Sequence, residues 1–327
     1  MVISKTSMPE ISKRKFNHLK IHTQYSICEG AIKIDNLKDF CKERKIQSVG
    51  LSDTSNLCGA LEFARLAKGI GIKPITGSEI TLSDFSHLTL IARTREGYAN
   101  ISRLLTYANM SDRNNPRIDA TYLSTNYEGV VLLTGCRKGA IPSLISNGRY
   151  NEARRILQRY IEWFGNDAVY VELNQNFVHG DTRRNRELIG LAQDVGARVV
   201  ATNNVHYHHP SRYKLQTSLV AIKNNSTIDG VISSIRPNGQ FYLKSPYEMQ
   251  RIFAHYPEAI KSTIEIAESC SFDLSSDLGY RLPTPSVPQG YTRDSYFQKL
   301  CYESAVRRYG SITNTVDRRL REEFNLI

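Results

Sequence analysis

The sequence predicts an α/β protein built on about seven strands that mostly alternate with helices, an order that favours a parallel sheet or a closed barrel. Two observations support this prediction. Short apolar runs bounded by turn residues alternate with segments whose apolar residues recur at helical spacing. Polar residues that can bind metal also stand beside the ends of several predicted strands. The pattern alone does not separate a seven-stranded barrel from an open doubly wound sheet, although no G-x-G-x-x-G motif follows the first strand.

Each predicted element follows from its local pattern. The strands are short apolar runs, and we place them at 16–22, 47–53, 72–80, 87–93, 129–135, 167–173 and 197–204. The helices carry an apolar stripe at three- and four-residue spacing, and we place them at 32–45, 56–71, 96–110, 149–164 and 181–196. The last of these ends at Gly196, a residue type that commonly stops a helix.

The composition divides the chain into four parts. Residues 1–15 form a polar lead, and the alternating pattern occupies 16–275. The segment 276–290 is rich in Ser, Gly and Pro, and we interpret it as a linker. Residues 291–327 are basic and helical in pattern and end without a helix stop signal, so we interpret them as the truncated start of a further region.

Composition also disfavours several classes of protein. No segment approaches the ~20 apolar residues of a membrane span, and the N-terminus lacks the apolar core of a secretory signal. The six cysteines form no C-x-x-C pair, which argues against a zinc ribbon or a disulfide framework and favours a reducing cytoplasm. The net charge of +11 suits either a solvated basic surface or a polyanionic partner, most simply nucleic acid.

Six polar residues stand beside predicted strand ends. The carboxyl ends of parallel barrel strands face one rim, so side chains that are distant in sequence converge there. Converging imidazole, carboxylate and thiolate groups are what a metal-dependent hydrolase needs. The residues are His22, Asp53, Glu79, His87, Cys136 and His206. Structural roles compete with this interpretation, since Asp53 also suits the N-cap of the following helix and Cys136 a buried apolar position.

Several longer motifs resemble one family. HLKIHTQYSICEGAIKIDNL, GLSDTSNLCGALEF and GIKPITGSEI are similar to motifs of the PHP (polymerase and histidinol phosphatase) domain at the N-terminus of the bacterial DNA polymerase III alpha subunit. HLTLIARTREGYANISRLL, VVLLTGC, VVATNNVHY and LPTPSVPQGYTRDSYFQKLCYES continue the resemblance in order over nearly the whole chain. It implies a PHP-type distorted (β/α)7 barrel over 16–275, followed by a short helical start of the polymerase region.

Nine positions correspond to the metal-binding positions of that family. They are Lys20, His22, Glu29, Thr54, Glu79, His87, Cys136, Asn204 and His206. Three depart from the family pattern, because Lys20 and Thr54 replace histidines and Asn204 replaces an aspartate. Lys20 also brings a positive charge to a place where a metal ion is expected. The resemblance therefore implies a degenerate metal site without catalytic residues.

Three states of this site remain open from the sequence: an intact multi-metal centre, a rim without metal, and one residual zinc or manganese ion. The ligands in the last case are His22, Glu79, His87, Cys136 and His206. For the rim without metal, we expect the ammonium of Lys20 to lie between the carboxylates of Glu29 and Glu79 and to replace the ion.

Three functional hypotheses follow from the resemblance. The first is the PHP region of a cytoplasmic bacterial replicative DNA polymerase, which acts as a scaffold and lacks the polymerase aspartates; the parent enzyme is expected to use magnesium. The second is a free-standing PHP phosphoesterase or 3′–5′ exonuclease, and the third is a non-catalytic nucleic-acid-binding module. The first implies DNA, the remainder of the polymerase chain, a proofreading exonuclease and other replicase subunits as partners, and no membrane. The motif at 282–304 favours the first hypothesis over the second.

Overall fold

A curled six-stranded sheet forms the centre of the fold, and its strands neighbour one another in sequence order. The strands are β1 (Ser48–Thr54), β2 (Lys73–Thr81), β3 (His87–Ala92), β4 (Val130–Leu133), β5 (Val169–Asn174) and β6 (Arg198–Thr202). The structure is a computed structural model that describes residues 15–44, 46–279 and 285–327. The polar lead at 1–14 and part of the expected linker, 280–284, lie outside the described residues.

The expected first strand lies beside β1, although it lacks the regular ladder of a strand. Gly50 N donates to His18 O at 2.6 Å, and Ser52 N donates to Ile21 O at 2.9 Å. The accepting carbonyls are three residues apart while the donors are two apart, so the segment carries one extra residue, as in a bulge. Leu19 O lies between these two accepting carbonyls, and it accepts a hydrogen bond from the side chain of Ser52, with Oγ at 2.9 Å.

The other side of this segment bonds to the chain just after β6. Val205 N donates to Lys20 O at 3.1 Å, and His22 N donates to Val205 O at 2.9 Å. Ile21 and Val205 form a parallel bridge. The segment therefore joins β1 to the chain after β6 and closes the sheet into a ring, so the expected α/β barrel is confirmed.

One strand reverses the expected direction. β3 runs antiparallel to both β2 and β4, whereas β1 with β2, β4 with β5 and β5 with β6 are parallel. The connection from β2 to β3 is only residues 82–86, and a parallel connection needs a crossover of about a dozen residues or more. The reversal matters for the site, because it brings the first residue of β3, His87, opposite Thr81 at the end of β2.

Helices surround the sheet. Those of the barrel unit are α1 (Ile34–Arg44), α2 (Ala60–Gly69), α3 (Arg95–Ser111), α4 (Ala120–Leu123), α5 (Ala140–Ser146), α6 (Tyr150–Phe164), α7 (Asp181–Val195), α8 (Tyr213–Lys223), α9 (Pro246–Ile252) and α10 (Pro257–Ser269). α2 packs on β2, α3 on β3, α7 on β5 and α10 on β6. Among the described residues, none of the helices has the length and apolar character needed to cross a membrane.

The barrel interior changes from apolar to polar along the strands. Ile75, Leu133, Tyr170 and Val200 belong to one buried apolar cluster, which also includes Ile266 of α10. Side chains two or four residues apart on a strand point to the same face. The interior positions beyond this cluster, such as Glu79 on β2 and Glu172 on β5, therefore lie nearer the carboxyl ends of the strands, an edge called the rim below.

The chain divides into two compact units, Met1–Leu278 and Gly279–Ile327. In the second unit, α11 (Arg293–Tyr309) and α12 (Asn314–Leu326) pack against each other. The ring of Phe324 lies 5.8 Å from Phe297 and 5.9 Å from Tyr302 between centroids. The expected helical pattern of this region is confirmed.

Substitution of Gly50 should weaken the closure of the barrel. A Cβ atom at this position would stand 2.8 Å from Leu19 Cα and from Leu19 O, both backbone atoms that cannot rotate away. We expect Gly50→Ala to lower the free energy of unfolding by about 1–3 kcal/mol, as overpacking does. Urea denaturation of the purified chain measures this change.

The matched control is Gly190→Ala in α7, where nothing lies within 4 Å of the added Cβ. Alanine favours a helix over glycine by about 0.8–1 kcal/mol, so this variant should be at least as stable as the wild type. Equal stability of the two variants would contradict a closure that depends on close backbone contact at Gly50.

Candidate metal centre

A continuous set of contacts links all nine predicted positions at the rim. Six of the side chains are buried: Lys20, His22, Glu79, Cys136, Asn204 and His206. The other three, Glu29, Thr54 and His87, are half-buried. The strand register explains part of this convergence, because Thr54 at the end of β1 is paired with Glu79 on β2. The sequence-based prediction of a shared rim therefore agrees with the positions of these residues.

Lys20 forms the most deeply buried ion pairs of the rim. Its Nζ lies 2.7 Å from Glu79 Oε2 and 3.5 Å from Glu172 Oε2, and all three side chains are buried. Burial alone would lower the pKa of Lys20, but the charges of Glu172 and Glu79 outweigh burial and raise it. Burial would likewise raise the pKa of Glu79, yet Lys20 and two neighbouring histidines hold it well below its usual range.

Of the two carboxylates expected to pair with Lys20, one is confirmed and the other is wrong. The ion pair with Glu79 is confirmed, whereas Glu29 is the wrong second carboxylate and Glu172 takes its place. Sequence reasoning missed Glu172, although a signal was present: an acidic residue near the end of the apolar run VYVEL.

Glu79, His87 and Cys136 form a compact group beside Lys20. His87 Nδ1 lies 3.1 Å from Glu79 Oε1, and His87 is also hydrogen-bonded to Cys136. Although burial alone would lower it, the pKa of His87 is raised to about 9 by Glu79 and Cys136. Burial alone would raise the pKa of Cys136, but Lys20 and His87 lower it. The group therefore pairs an imidazolium with a carboxylate and with a thiol whose pKa is lowered.

His22 and His206 stack on each other, with ring centroids 4.3 Å apart and planes 6° apart. His22 Nε2 lies 3.1 Å from Asn204 Oδ1, and Arg236 Nη2 lies 2.5 Å from His206 Nε2. Burial, together with the positive charge of Arg236, holds the pKa of His206 well below its usual value. Burial also lowers the pKa of His22. Arg236 was not predicted, and no motif signals it.

Glu29 pairs with a different cation. Lys223 Nζ lies 2.5 Å from Glu29 Oε1, and Thr54 Oγ1 donates to Glu29 Oε2 at 3.2 Å. Thr54 Oγ1 also lies 3.3 Å from His22 Nδ1. Thr54, which stands at a histidine position of the family pattern, thus supplies a neutral hydroxyl between two retained ligand positions.

Asp53 neither caps the following helix nor joins the group of ligands. It accepts hydrogen bonds from Thr23 N at 2.6 Å, Thr23 Oγ1 at 2.8 Å and Ser26 Oγ at 2.6 Å. The N-cap of α2 is Gly59, which offers no side chain. The N-cap interpretation of Asp53 is therefore wrong, because the turn at 23–26 supplies closer donors.

These residues do not fit a multinuclear metal centre. An ammonium lies at the carboxylates of Glu79 and Glu172, and Arg236 and Lys223 occupy His206 Nε2 and Glu29 Oε1. One smaller group does fit a single ion. The ligand atoms of Glu79, His87 and Cys136 lie within 4.8 Å of one another, and a carboxylate, an imidazole and a thiolate suit zinc at about 2.0–2.3 Å. His22 and His206, which the sequence also suggested, stand outside this group of three.

Comparisons with known proteins find a matching family model and similar sequences. Residues 18–176 match the family model of the PHP domain. The chain is 36% identical to an error-prone DNA polymerase of Symbiobacterium thermophilum, over 95% of this chain and 30% of that protein. It is 32% identical to a DNA polymerase III subunit alpha of Thermus aquaticus, over 91% of this chain and 26% of that protein. The chain thus spans less than a third of the length of these relatives.

Two solved structures resemble the fold at low identity. A protein described as a metal-dependent phosphoesterase from Bifidobacterium adolescentis aligns with a TM-score of 0.42 and 12% identity, over 59% of this chain and 88% of that chain. A lesion-specific endonuclease from Pyrococcus furiosus aligns with a TM-score of 0.37 and 12% identity, over 59% of this chain and 48% of that chain.

Removal of the Lys20 charge should destabilise the barrel strongly. In Lys20→Met, two carboxylates remain buried without their cation, and loss of one member of a buried ion pair costs about 3–5 kcal/mol. The control is Lys261→Met, which removes an exposed lysine paired with Glu265 in the same helix and should change the free energy of unfolding by less than about 1 kcal/mol. Urea denaturation at neutral pH measures both variants.

The double variant Lys20→Met, Glu172→Gln should recover part of the lost stability, because a neutral amide is buried at lower cost than a carboxylate. If Lys20→Met lowered the free energy of unfolding no more than Lys261→Met does, the ammonium would not be needed to hold these carboxylates in the interior.

Proposed function

We propose, from the premise that residues 18–176 belong to the PHP domain family, that this chain is the PHP region of a bacterial replicative DNA polymerase. Its barrel acts there as a scaffold without metal chemistry of its own. The identity of 36% over 95% of the chain to a DNA polymerase supports the polymerase assignment. The single observation that supports the scaffold role is the buried ammonium of Lys20 between Glu79 and Glu172.

In this proposal, Lys20 is an internal substitute for a metal ion. A metal ion and an ammonium both neutralise clustered carboxylates, but only the metal ion activates water for hydrolysis. A lysine supplies its charge permanently, with no equilibrium of binding and release. The rim therefore keeps its electrostatic balance and its fold while it gives up the chemistry.

The proposed partners follow from the parent enzyme. The net charge of +11 suits contact with the phosphates of DNA. The remainder of the polymerase chain, a proofreading exonuclease and other replicase subunits are the proposed protein partners, in the cytoplasm. Magnesium is proposed for the parent polymerase. The catalytic aspartates of polymerisation are proposed to lie outside this chain, in which residues 276–290 link the PHP domain to the start of the polymerase region.

A second function is supported by one observation, the group of Glu79, His87 and Cys136. These side chains would hold one zinc ion, which supplies Lewis acidity toward a phosphoester when it is bound. Glu79 and His87 would orient each other through the hydrogen bond that they already share. Lys20 lies at the same carboxylate and would stay close to a negatively charged substrate. The function would be that of a PHP phosphoesterase or 3′–5′ exonuclease.

A nuclease assay separates the two functions. We expect the purified chain to leave a labelled single-stranded oligonucleotide intact in the presence of manganese or zinc, because the three departures at Lys20, Thr54 and Asn204 remove donors from the site. Degradation above the buffer control that disappears in His22→Ala would establish an active rim and overturn the scaffold proposal. Degradation that persists in His22→Ala but disappears in His87→Ala would establish the group of Glu79, His87 and Cys136 as the active site and would likewise overturn the scaffold proposal. Degradation that persists in both variants would identify a contaminating nuclease.

The scaffold role is testable in the parent polymerase. Gly50→Ala should lower the temperature at which primer extension is lost, in step with the unfolding of the barrel, because the polymerase region depends on a folded neighbour. The helix variant Gly190→Ala, introduced in the same parent chain, should leave that temperature unchanged or raise it. Primer extension that survives the unfolding of the barrel would contradict the scaffold role.

A further inference from the structure

The segment that follows β6 is held at the rim by residues that stand at metal-ligand positions of the family pattern. Residues 212–240 are called the strap below. The strap begins with Arg212, the last residue of a 3-10 turn, and continues through helix α8. Residues 224–240, called the return segment, follow the helix and contain one further 3-10 turn at Asp229–Val231. Two side chains near the beginning of the strap donate hydrogen bonds to backbone carbonyls of the barrel. Arg212 Nε donates to Ala31 O at 3.1 Å, and Gln216 Nε2 donates to Glu29 O at 3.3 Å.

Two cations of the strap contact the rim. Lys223, the last residue of α8, lies 2.5 Å from Glu29 Oε1. Arg236, in the return segment, lies 2.5 Å from His206 Nε2. Tyr213 OH donates to Arg236 O at 2.8 Å and ties the two ends of the strap together.

The contact of Arg236 with His206 has a defined chemistry. A guanidinium carries only donors, so His206 Nε2 must be the acceptor and must be unprotonated. The lone pair that accepts this hydrogen bond is the lone pair that a metal ion would need, because a neutral imidazole nitrogen offers one such pair. Arg236 and a metal ion therefore exclude each other at this atom.

The same competition applies to Glu29. Lys223 occupies Oε1, and Thr54 Oγ1 donates to Oε2. A metal ion at Glu29 would have to displace an ammonium that is already in place.

The part of the strap between these two cations has few attachments to the barrel. Residues 224–230 and 232–234 are exposed, and only Val231 is buried among the residues from 224 to 234. Their backbone hydrogen bonds are local turns, such as Asn225 N to Ile222 O and Ser234 N to Val231 O. The return segment is therefore held at its end, where Arg236 contacts His206, Asn238 Nδ2 donates to Asn176 O at 2.8 Å and Asn203 Nδ2 donates to Gln240 O at 3.1 Å. Of these contacts, the one made by Arg236 reaches a metal-ligand position of the rim.

We propose that the strap is a latch, in which Arg236 and Lys223 hold it against the rim and keep divalent metal ions off His206 and Glu29. This inference extends the proposed metal-free rim, but it assigns the exclusion of metal to the strap as well as to Lys20. Opening of the latch exposes two ligand atoms that the closed strap covers.

The experiment uses the variant Arg236→Ala, Lys223→Ala in the complete chain. Hydrogen–deuterium exchange should become faster in residues 224–240, because both side-chain contacts are gone. Titration with cobalt(II), followed by its visible absorption, should show binding about tenfold or more tighter than in the wild type, the range over which one ligand contact changes metal affinity. Adding His206→Ala to this variant should abolish the gain.

Two further variants keep the result interpretable. Lys214→Ala removes an exposed strap cation that has no side-chain contact among those described above, and it should change neither exchange nor cobalt binding. Arg236→Lys keeps the charge and a donor and should restore part of the wild-type protection of the strap. If the double variant does not fold, Arg236→Gln and Lys223→Gln, which remove the charges singly, serve as milder changes in the same measurements.

The outcomes separate this inference from the proposed function. Unchanged exchange in the strap of the double variant overturns the latch. Faster exchange without a gain in cobalt affinity, or a gain that survives His206→Ala, overturns the exclusion of metal by Arg236. Metal-dependent degradation of DNA by the wild-type chain, in contrast, overturns the proposed scaffold function and says nothing against the contacts of the strap.

Discussion

The balance of charge around Lys20 is the constraint on which the rest of the rim depends. Glu79 and Glu172 extend from different strands into a barrel interior that is sealed from solvent. Two carboxylates in such a place need a cation, since removing a charge from water without compensation costs several kcal/mol. Lys20 supplies it from the segment that closes the barrel between β1 and the chain after β6. Lys20, which neutralises the two carboxylates, therefore also belongs to the segment that closes the barrel.

The same logic applies to the neighbouring ligand positions. Glu29 has Lys223, and His206 has Arg236, so the retained acidic and imidazole groups are matched by cations or donors of the chain itself. A metal site that loses one ligand is left with unpaired donors, whereas in this rim Lys20, Lys223 and Arg236 each contact a retained acidic or imidazole group. The two neutral replacements contact the same groups. Thr54 Oγ1 lies between Glu29 and His22, and Asn204 Oδ1 lies 3.1 Å from His22 Nε2. We interpret the replacements as a connected set and not as independent losses.

The sequence predicted the barrel and the convergence of the rim because both follow from local pattern. Strand ends are visible in apolar runs, and a ring of strands must bring those ends together. The direction of β3 was missed, although the short connection at 82–86 already ruled out a parallel crossover. Glu172 was missed because an acidic residue inside an apolar strand was not treated as a rim residue. Arg236 and Lys223 could not be predicted, since their contacts depend on how an irregular segment returns over the barrel, and no periodicity encodes that path.

The group of Glu79, His87 and Cys136 is held together by charges of the chain itself. With a pKa of about 9, His87 is an imidazolium at neutral pH, and its Nδ1 lies 3.1 Å from Glu79 Oε1. A metal ion could use this ring only after a proton leaves it, so binding would have to compete with an ion pair that already stabilises the fold. Lys20 adds to the competition, because it lies at Glu79 and lowers the pKa of Cys136. An imidazolium and an ammonium thus hold the acidic members of the group together, so the charge balance of these side chains does not depend on a bound ion.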